Sequence, residues 1–211
     1  MKVVSTNVSI TRKIVIGGES IETGMYKKPV DAGVFLAKNG VKSDAVVDLK
    51  YHGGSDKASY FYGLNNYDYF KDRYPNADWE MGMFGENLTL DEVDESQLNI
   101  GDIYQVGDAV VQISQPRIPC AKFGYRMGNS SAIKAFANAP YPGIYVRVLT
   151  DGLVKVGDEL VLVKSQNQKL SLTDLFTVLT NRTAHIHRFK ELLENPFVTE
   201  NIKSKLRKHK L

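Results

Sequence analysis

The sequence predicts a mainly β protein: a closed or nearly closed barrel of short strands broken by short helices, followed by a small three-helix unit. Three observations predict this. Short β-branched and apolar stretches recur between Gly, Asn and Asp residues, as strands do. Several of these stretches are joined by two-residue Gly-Asp or Asp-Gly turns, which suit antiparallel neighbours. After Val163 the chain turns polar, and apolar residues then recur at helical spacing. Many short strands with tight turns are best served by closure, which removes exposed sheet edges.

Taken in order, Val3 to Ile10, Gly33 to Val41 and Ala45 to Leu49 read as strands. Leu64, Tyr67, Phe70 and Tyr74 share a helical face ahead of Pro75, and Ile133, Phe136 and Ala137 do so ahead of Pro140. Their aromatic rings are expected in the core. Asp102 to Val106 and Ala109 to Ser114 flank Gly107-Asp108. Ile144 to Thr150, Leu153 to Val156 and Glu159 to Val163 are separated by Asp151-Gly152 and Gly157-Asp158, so these strands are expected to pair with their neighbours in sequence. In the last segment Ser171 caps a helix bearing Leu172, Leu175, Phe176 and Leu179. Ile186, Phe189 and Leu193 stripe a second, and Thr199 caps a third with Ile202 and Leu206. We therefore read 1–163 as the barrel, 164–170 as a linker and 171–211 as the three-helix domain. A three-helix unit of about 40 residues is marginal alone, so docking on the barrel or on another subunit is expected.

Composition excludes several classes. The chain has 211 residues and a single cysteine, which rules out an internal disulfide framework and any Cys-rich zinc or iron–sulfur site. No apolar run reaches membrane-spanning length, and the first residues lack the pattern of a signal or transit peptide; we expect a cytoplasmic protein without a membrane partner. Net charge is only +3, with much of the excess between Lys203 and Lys210, which reads as a solvated helix face rather than a nucleic-acid arm.

Four segments carry chemistry. In Gln115-Pro116-Arg117-Ile118-Pro119-Cys120-Ala121-Lys122 a thiol leaves a proline-stiffened turn beside two cations that favour the thiolate, the form that ligates metals and attacks electrophiles. An inert buried cysteine is the alternative. Tyr51-His52-Gly53-Gly54-Ser55-Asp56-Lys57-Ala58 follows a strand; its glycines let backbone N–H groups approach an anion, Lys57 adds charge and His52 titrates near neutrality. A plain Gly-Gly turn is the alternative. Phe84-Gly85-Glu86-Asn87-Leu88-Thr89 places polar groups beside a glycine, where Glu86 and Asn87 equally suit a turn backbone. Met25-Tyr26-Lys27-Lys28-Pro29-Val30 offers two lysines on an extended segment.

In this order the His52–Ala58, Phe84–Leu88 and Ser114–Cys120 segments resemble the signatures of the MOSC domain, named for the C-terminal domain of molybdenum cofactor sulfurase. The resemblance spans about Met1 to Val163, and the helical tail is similar to the three-helix domain of a bacterial branch associated with resistance to 6-N-hydroxylaminopurine. It implies a MOSC-type β-barrel, a molybdenum cofactor (molybdopterin-bound molybdenum) and reduction of N-hydroxylated compounds such as purine bases. It does not call for pyridoxal phosphate. Cys120 is then the metal ligand. Lys27 or Lys28, Gly53, Gly54, Lys57 and Arg117 are candidates for the cofactor phosphate, and Asn87, Gln115 and His52 for the pterin edges; Glu86 is carried with them or holds its turn. His52 is the candidate proton donor, with Asp56 to orient or replace it. Two electrons must come from a separate reductase, since neither a cysteine cluster nor a Gly-x-Gly-x-x-Gly fingerprint is present. The tail allows a homodimer. The chain departs from the commoner first motif by carrying Ser55 where Pro is usual, which loosens that loop. Two rival readings need no metal: Cys120 as nucleophile or sulfur carrier with His52 as base, and a small β-barrel binding module with a basic tail.

Overall fold

In the computed structural model, which describes residues 1–47, 53–181 and 187–208, the chain opens with β1 (Val3–Val8). β2 (Arg12–Ile16) and β3 (Glu19–Thr23) form a hairpin of their own about Gly17-Gly18, whose φ angles of 61° and 87° fit the positive-φ turn such hairpins use. Sequence reading passed over this hairpin, because its exposed, charged strands lack a strong apolar alternation. β4 (Lys28–Pro29), β5 (Val34–Ala37) and β6 (Gly40–Val41) follow, so the stretch read as one strand from Gly33 to Val41 is two, folded back on each other.

A 3-10 turn at Ser55–Lys57 leads into β7 (Ser59–Gly63), and a second at Leu64–Asn66 into α1 (Tyr67–Lys71). Then come β8 (Leu88–Leu90), β9 (Ile103–Val106), β10 (Ala109–Gln115), α2 (Ala121–Arg126), α3 (Ser131–Asn138), β11 (Ile144–Thr150), β12 (Gly152–Val154) and β13 (Val161–Lys164). The chain ends with α4 (Leu172–Thr180), α5 (Phe189–Glu194) and α6 (Glu200–Lys208).

The main sheet has eight strands in the order β13-β9-β10-β11-β7-β8-β1-β4, antiparallel except where β7 meets β8. It curls far enough for its two margins to meet. Val3 N–H donates to the Asp158 carbonyl, Gly157 N–H to that of Val3 and Leu160 N–H to that of Met1, each at 2.8 Å. The smaller sheet is β12-β5-β6. Here the structure corrects the sequence reading: β12 does not pair with β11 or β13, but with β5, while β11 lies between β10 and β7. The Asp151-Gly152 turn therefore passes the chain from one sheet to another. Gly152 makes this possible, because a Cβ there would collide with the backbone of Asp108 and Ala109. The strand expected at Ala45–Leu49 is likewise absent over Ala45–Val47; the rest of it lies outside the described residues.

Two apolar cores result. The barrel interior holds Leu36, Phe61, Leu88, Val106, Ile113 and Ile144, and continues without a break into Leu172, Leu175, Leu192 and Ile202 of the terminal helices. Those helices are welded on by backbone as well: Ile100 N–H donates to the Leu170 carbonyl and Leu172 N–H to that of Leu98. Ser171 caps α4 as expected, its Oγ accepting from Asp174 N–H at 3.0 Å. The second core is aromatic. Tyr62, Tyr67, Phe70, Phe84, Phe123 and Phe136 pack between the sheet and α1, α2 and α3, with Tyr62 and Phe84 stacked at 4.1 Å. This second core supports the loops that carry the candidate site.

Candidate functional site

β10 stops at Gln115 because Pro116 has no N–H to continue the ladder, and Pro119 then holds the chain extended into Cys120. Cys120, at φ −133° and ψ 173°, stands directly before α2, and its carbonyl accepts from Phe123 N–H at 3.0 Å. The thiol is partly exposed. It borders two spaces: an inner cavity of about 80 Å³ and an outer cleft of about 500 Å³. Lys57, Lys122 and Tyr145 line both, so the two spaces adjoin at Cys120.

The inner cavity is built on Arg117. Its guanidinium is almost fully buried, donates through Nη1 to the Phe84 carbonyl and through Nη2 to Met25 Sδ at 3.3 Å, and lies 5.1 Å from the Tyr60 ring centroid. Its Nε is buried with no hydrogen-bond partner among the described residues. The Phe84 carbonyl is held for this contact by Glu86. That carboxylate accepts from Gly82 N–H at 2.8 Å, Phe84 N–H at 3.0 Å, the Thr89 hydroxyl at 2.9 Å and the Tyr67 hydroxyl. Gly85 has a φ of 75°, which L side chains avoid, and a Cβ there would crowd Met25 Sδ at 3.0 Å. The Phe84–Asn87 segment is thus a rigid bracket for the arginine.

Opposite lies an acidic hub. Asp44 accepts from Ser9 N–H at 2.8 Å, from the Asn87 carboxamide at 2.9 Å, and from the Lys27 ammonium in a buried ion pair. Burial pushes the Lys27 ammonium below its usual range, and Asp44 opposes that push. Tyr60 and Tyr145, also on the walls, are pushed up by burial, with Arg117 opposing, so both stay neutral phenols near pH 7.

The structure thus brings Lys27, Lys57, Asn87, Arg117 and Cys120 onto one cavity, with Gln115 on the adjoining cleft. The other candidates stand elsewhere. Lys28 points outward, 3.4 Å from Glu80, because it follows Lys27 on an extended segment and faces the other way. Glu86 spends its carboxylate on its own turn and does not line either space. Asp56 does not line them either; it pairs with Arg147 at 2.5 Å, which ties the 3-10 turn to β11. Gly53 and Gly54 also stay off the walls. Gly54, at φ 87°, begins the 3-10 turn, and its carbonyl accepts from Lys57 N–H at 2.9 Å. Their part is to set the course of the chain into Lys57. His52 lies outside the described residues.

Sequence reading missed Asp44, Tyr60 and Tyr145. Nothing local marks them: Asp44 follows Ser43 in a turn, and the two tyrosines look like ordinary core members of strands. Among the described residues, no three or more His, Cys, Asp or Glu side chains cluster as a metal site. No helix among them is long and apolar enough to cross a membrane.

The curled, mainly β sheet is that of a MOSC domain, and the chain belongs to that family, whose profile matches residues 48–161. The MOSC domain is in general a molybdenum-cofactor-binding type of domain. Among related proteins, the uncharacterized protein YflK of Bacillus subtilis (strain 168) is 29% identical across 99% of this chain and 94% of its own length. Protein YiiM of Escherichia coli (strain K12) is 33% identical across 72% of this chain and 69% of its own length. A protein of Gibberella moniliformis named "Reductase" is 31% identical across 88% of this chain, which spans only 33% of the fungal protein. The crystal structure of YiiM from Geobacillus stearothermophilus superposes with a TM-score of 0.80 at 29% identity, covering 98% of this chain and 97% of that one.

Proposed function

We propose that this protein holds a molybdenum cofactor through Cys120 and reduces N-hydroxylated compounds to the corresponding amines, with electrons from a separate reductase. The observation that carries the reading is the position of the thiol: the only cysteine of the sequence lines both a cavity that carries Arg117 and Lys57 and an adjoining cleft of small-molecule size. The donor set fits such a group. The positive charge of the Arg117 guanidinium, which lines the cavity, would attract an anionic group there, as a cofactor phosphate supplies, and Lys57 adds charge on the same wall. Lys27 is a weaker phosphate donor than its sequence position suggests, because Asp44 already neutralises it. The Gln115 carboxamide, whose oxygen already accepts from Thr199, can offer its N–H groups to an acceptor edge of a pterin, whereas the Asn87 carboxamide is engaged by Asn7, Asp44, Ser59 and Tyr60 and serves to shape the wall.

When bound, the cofactor supplies two-electron removal of the hydroxylamine oxygen, so that N–OH, two electrons and two protons yield N–H and water. The chain's own residues bind, orient and shield. Arg117 and the neutral phenols of Tyr60 and Tyr145 line the inner cavity with one positive charge and two uncharged hydroxyl-bearing rings. His52, adjoining the Gly53-Gly54 turn in sequence, is our proposed proton donor.

The test is elemental analysis for molybdenum, with pterin fluorescence, on wild type and Cys120→Ala purified from a host able to make the cofactor. The expected result is near-stoichiometric metal in wild type, lost in the variant. Metal and pterin absent from both would overturn the proposal and favour Cys120 as a nucleophile or sulfur carrier.

A further inference from the structure

The outer cleft has walls from three parts of the chain that lie far apart in sequence. The β2–β3 hairpin supplies Ile16 and Ile21, the loop after β10 supplies Ile118 and Pro119, and the terminal helices supply Leu179 and Ile202. A volume of about 500 Å³ falls within the range of small-molecule sites, and the surface these side chains offer is apolar.

Its charges are lopsided. Lys57, Lys122 and Lys205 line the cleft, against Glu19 as the acidic residue of the lining. Lys122, on α2, and Lys205, on α6, have no acidic partner among the described residues. Asn201 stands one helical turn before Lys205 on the same face of α6, so an amide and an ammonium look into the cleft together. Their position is fixed from behind: Ile202 and Leu206 are buried in the core, and the Thr199 hydroxyl accepts from Ile202 N–H at 3.3 Å while donating to Gln115 Oε1 at 3.1 Å. That last bond ties α6 to the end of β10, and Gln115 itself lines the cleft. The terminal helices are therefore part of the site, not an appendage to it.

We propose that the cleft admits the substrate, that the substrate is an apolar-bodied N-hydroxylated molecule carrying an acidic group, and that Lys205, Asn201 and Lys122 select for that group. The inference rests on the reductase reading only for the N–OH end of the ligand. An apolar body suits the Ile and Pro walls, and an anion suits the unpartnered lysines. A neutral molecule would leave that charge unanswered.

The probes are benzamidoxime and 4-carboxybenzamidoxime, which differ by one carboxylate, titrated by calorimetry into the holoprotein without an electron donor. Wild type is expected to bind the acid at least about tenfold more tightly at low salt, with the preference shrinking in about 0.5 M salt as screening sets in. Lys205→Gln and Lys122→Gln are each expected to reduce the preference by severalfold. Both positions are on the surface, and unchanged thermal unfolding checks that each variant is folded. Equal affinity for the two probes in wild type, no binding of the acid, or a preference unmoved by both substitutions overturns the proposal. Conversion to the amidine with a chemical reductant is scored separately. Selective binding without conversion leaves this site standing and removes the reductase reading, whereas conversion of both probes with equal affinity does the reverse.

Discussion

Glu95 offers a test of the packing behind the site that depends on pH alone. Its carboxyl is buried, accepts from the Asn66 carboxamide at 3.1 Å and from Gly143 N–H at 3.3 Å, and has no cation against it among the described residues. Burial is the main cause that pushes it from 4.5 up to about 7, with those hydrogen bonds opposing. The unfolded chain therefore releases this proton near pH 4.5 while the folded chain keeps it until about pH 7. In that window the folded state binds more protons, so the stability this group contributes is complete below pH 4.5 and is lost as pH rises to about 7. A span of about 2.5 pH units at about 1.4 kcal/mol each is about 3 kcal/mol, most of it between pH 5 and pH 8. Glu95→Gln removes the titration and keeps a polar group of the same shape. Urea unfolding of both proteins at pH 5 and pH 8 reads the effect. Relative to wild type, the variant should gain about 2 to 3 kcal/mol on going from pH 5 to pH 8, about 1 M in urea midpoint. Curves that run parallel for the two proteins across that range would refute the reasoning, since every other titrating group is common to both.

Two further substitutions probe the hubs that fix the site. Asp44→Asn leaves the Lys27 ammonium buried without its countercharge; a loss of about 3 kcal/mol is expected from urea unfolding, together with reduced cofactor content, and an unchanged midpoint would contradict the role given to the pair. Thr199→Ala removes both the cap of α6 and the bond to Gln115, so about 1 to 2 kcal/mol should be lost, and the preference of the cleft for the acidic probe should weaken because Lys205 is no longer held. A stability loss without any change in that preference would detach α6 from substrate selection.

What the sequence made legible was what local chemistry determines. Ser171 and Thr199 announce their helices because a hydroxyl before an apolar stripe satisfies orphaned N–H groups, and both caps are present. Gly107-Asp108 announces the β9–β10 hairpin in the same way. Long-range pairing is a different matter. β12 crosses to β5 more than a hundred residues earlier in the chain, and no property of Asp151-Gly152 distinguishes a hairpin turn from a turn between sheets.

The same division runs through the site. Cys120 and Arg117 were legible because prolines and charge crowd one short segment, and Asn87 because it belongs to a glycine-marked turn. Asp44 was not, since its importance arises only where Ser9, Lys27 and Asn87 converge on it. Glu86 shows the converse: a polar residue inside a motif, conspicuous in sequence, whose carboxylate is consumed by its own loop. Yet that consumption is what aims the Phe84 carbonyl at Arg117, and Arg117 brings a buried positive charge to the inner cavity. A motif residue can thus shape the wall of a candidate site without lining it. For this fold the distinction has a consequence: Glu86→Gln should lower both stability and cofactor content, because the bracket fails first, whereas Lys205→Gln should leave both unchanged and alter only which ligand enters.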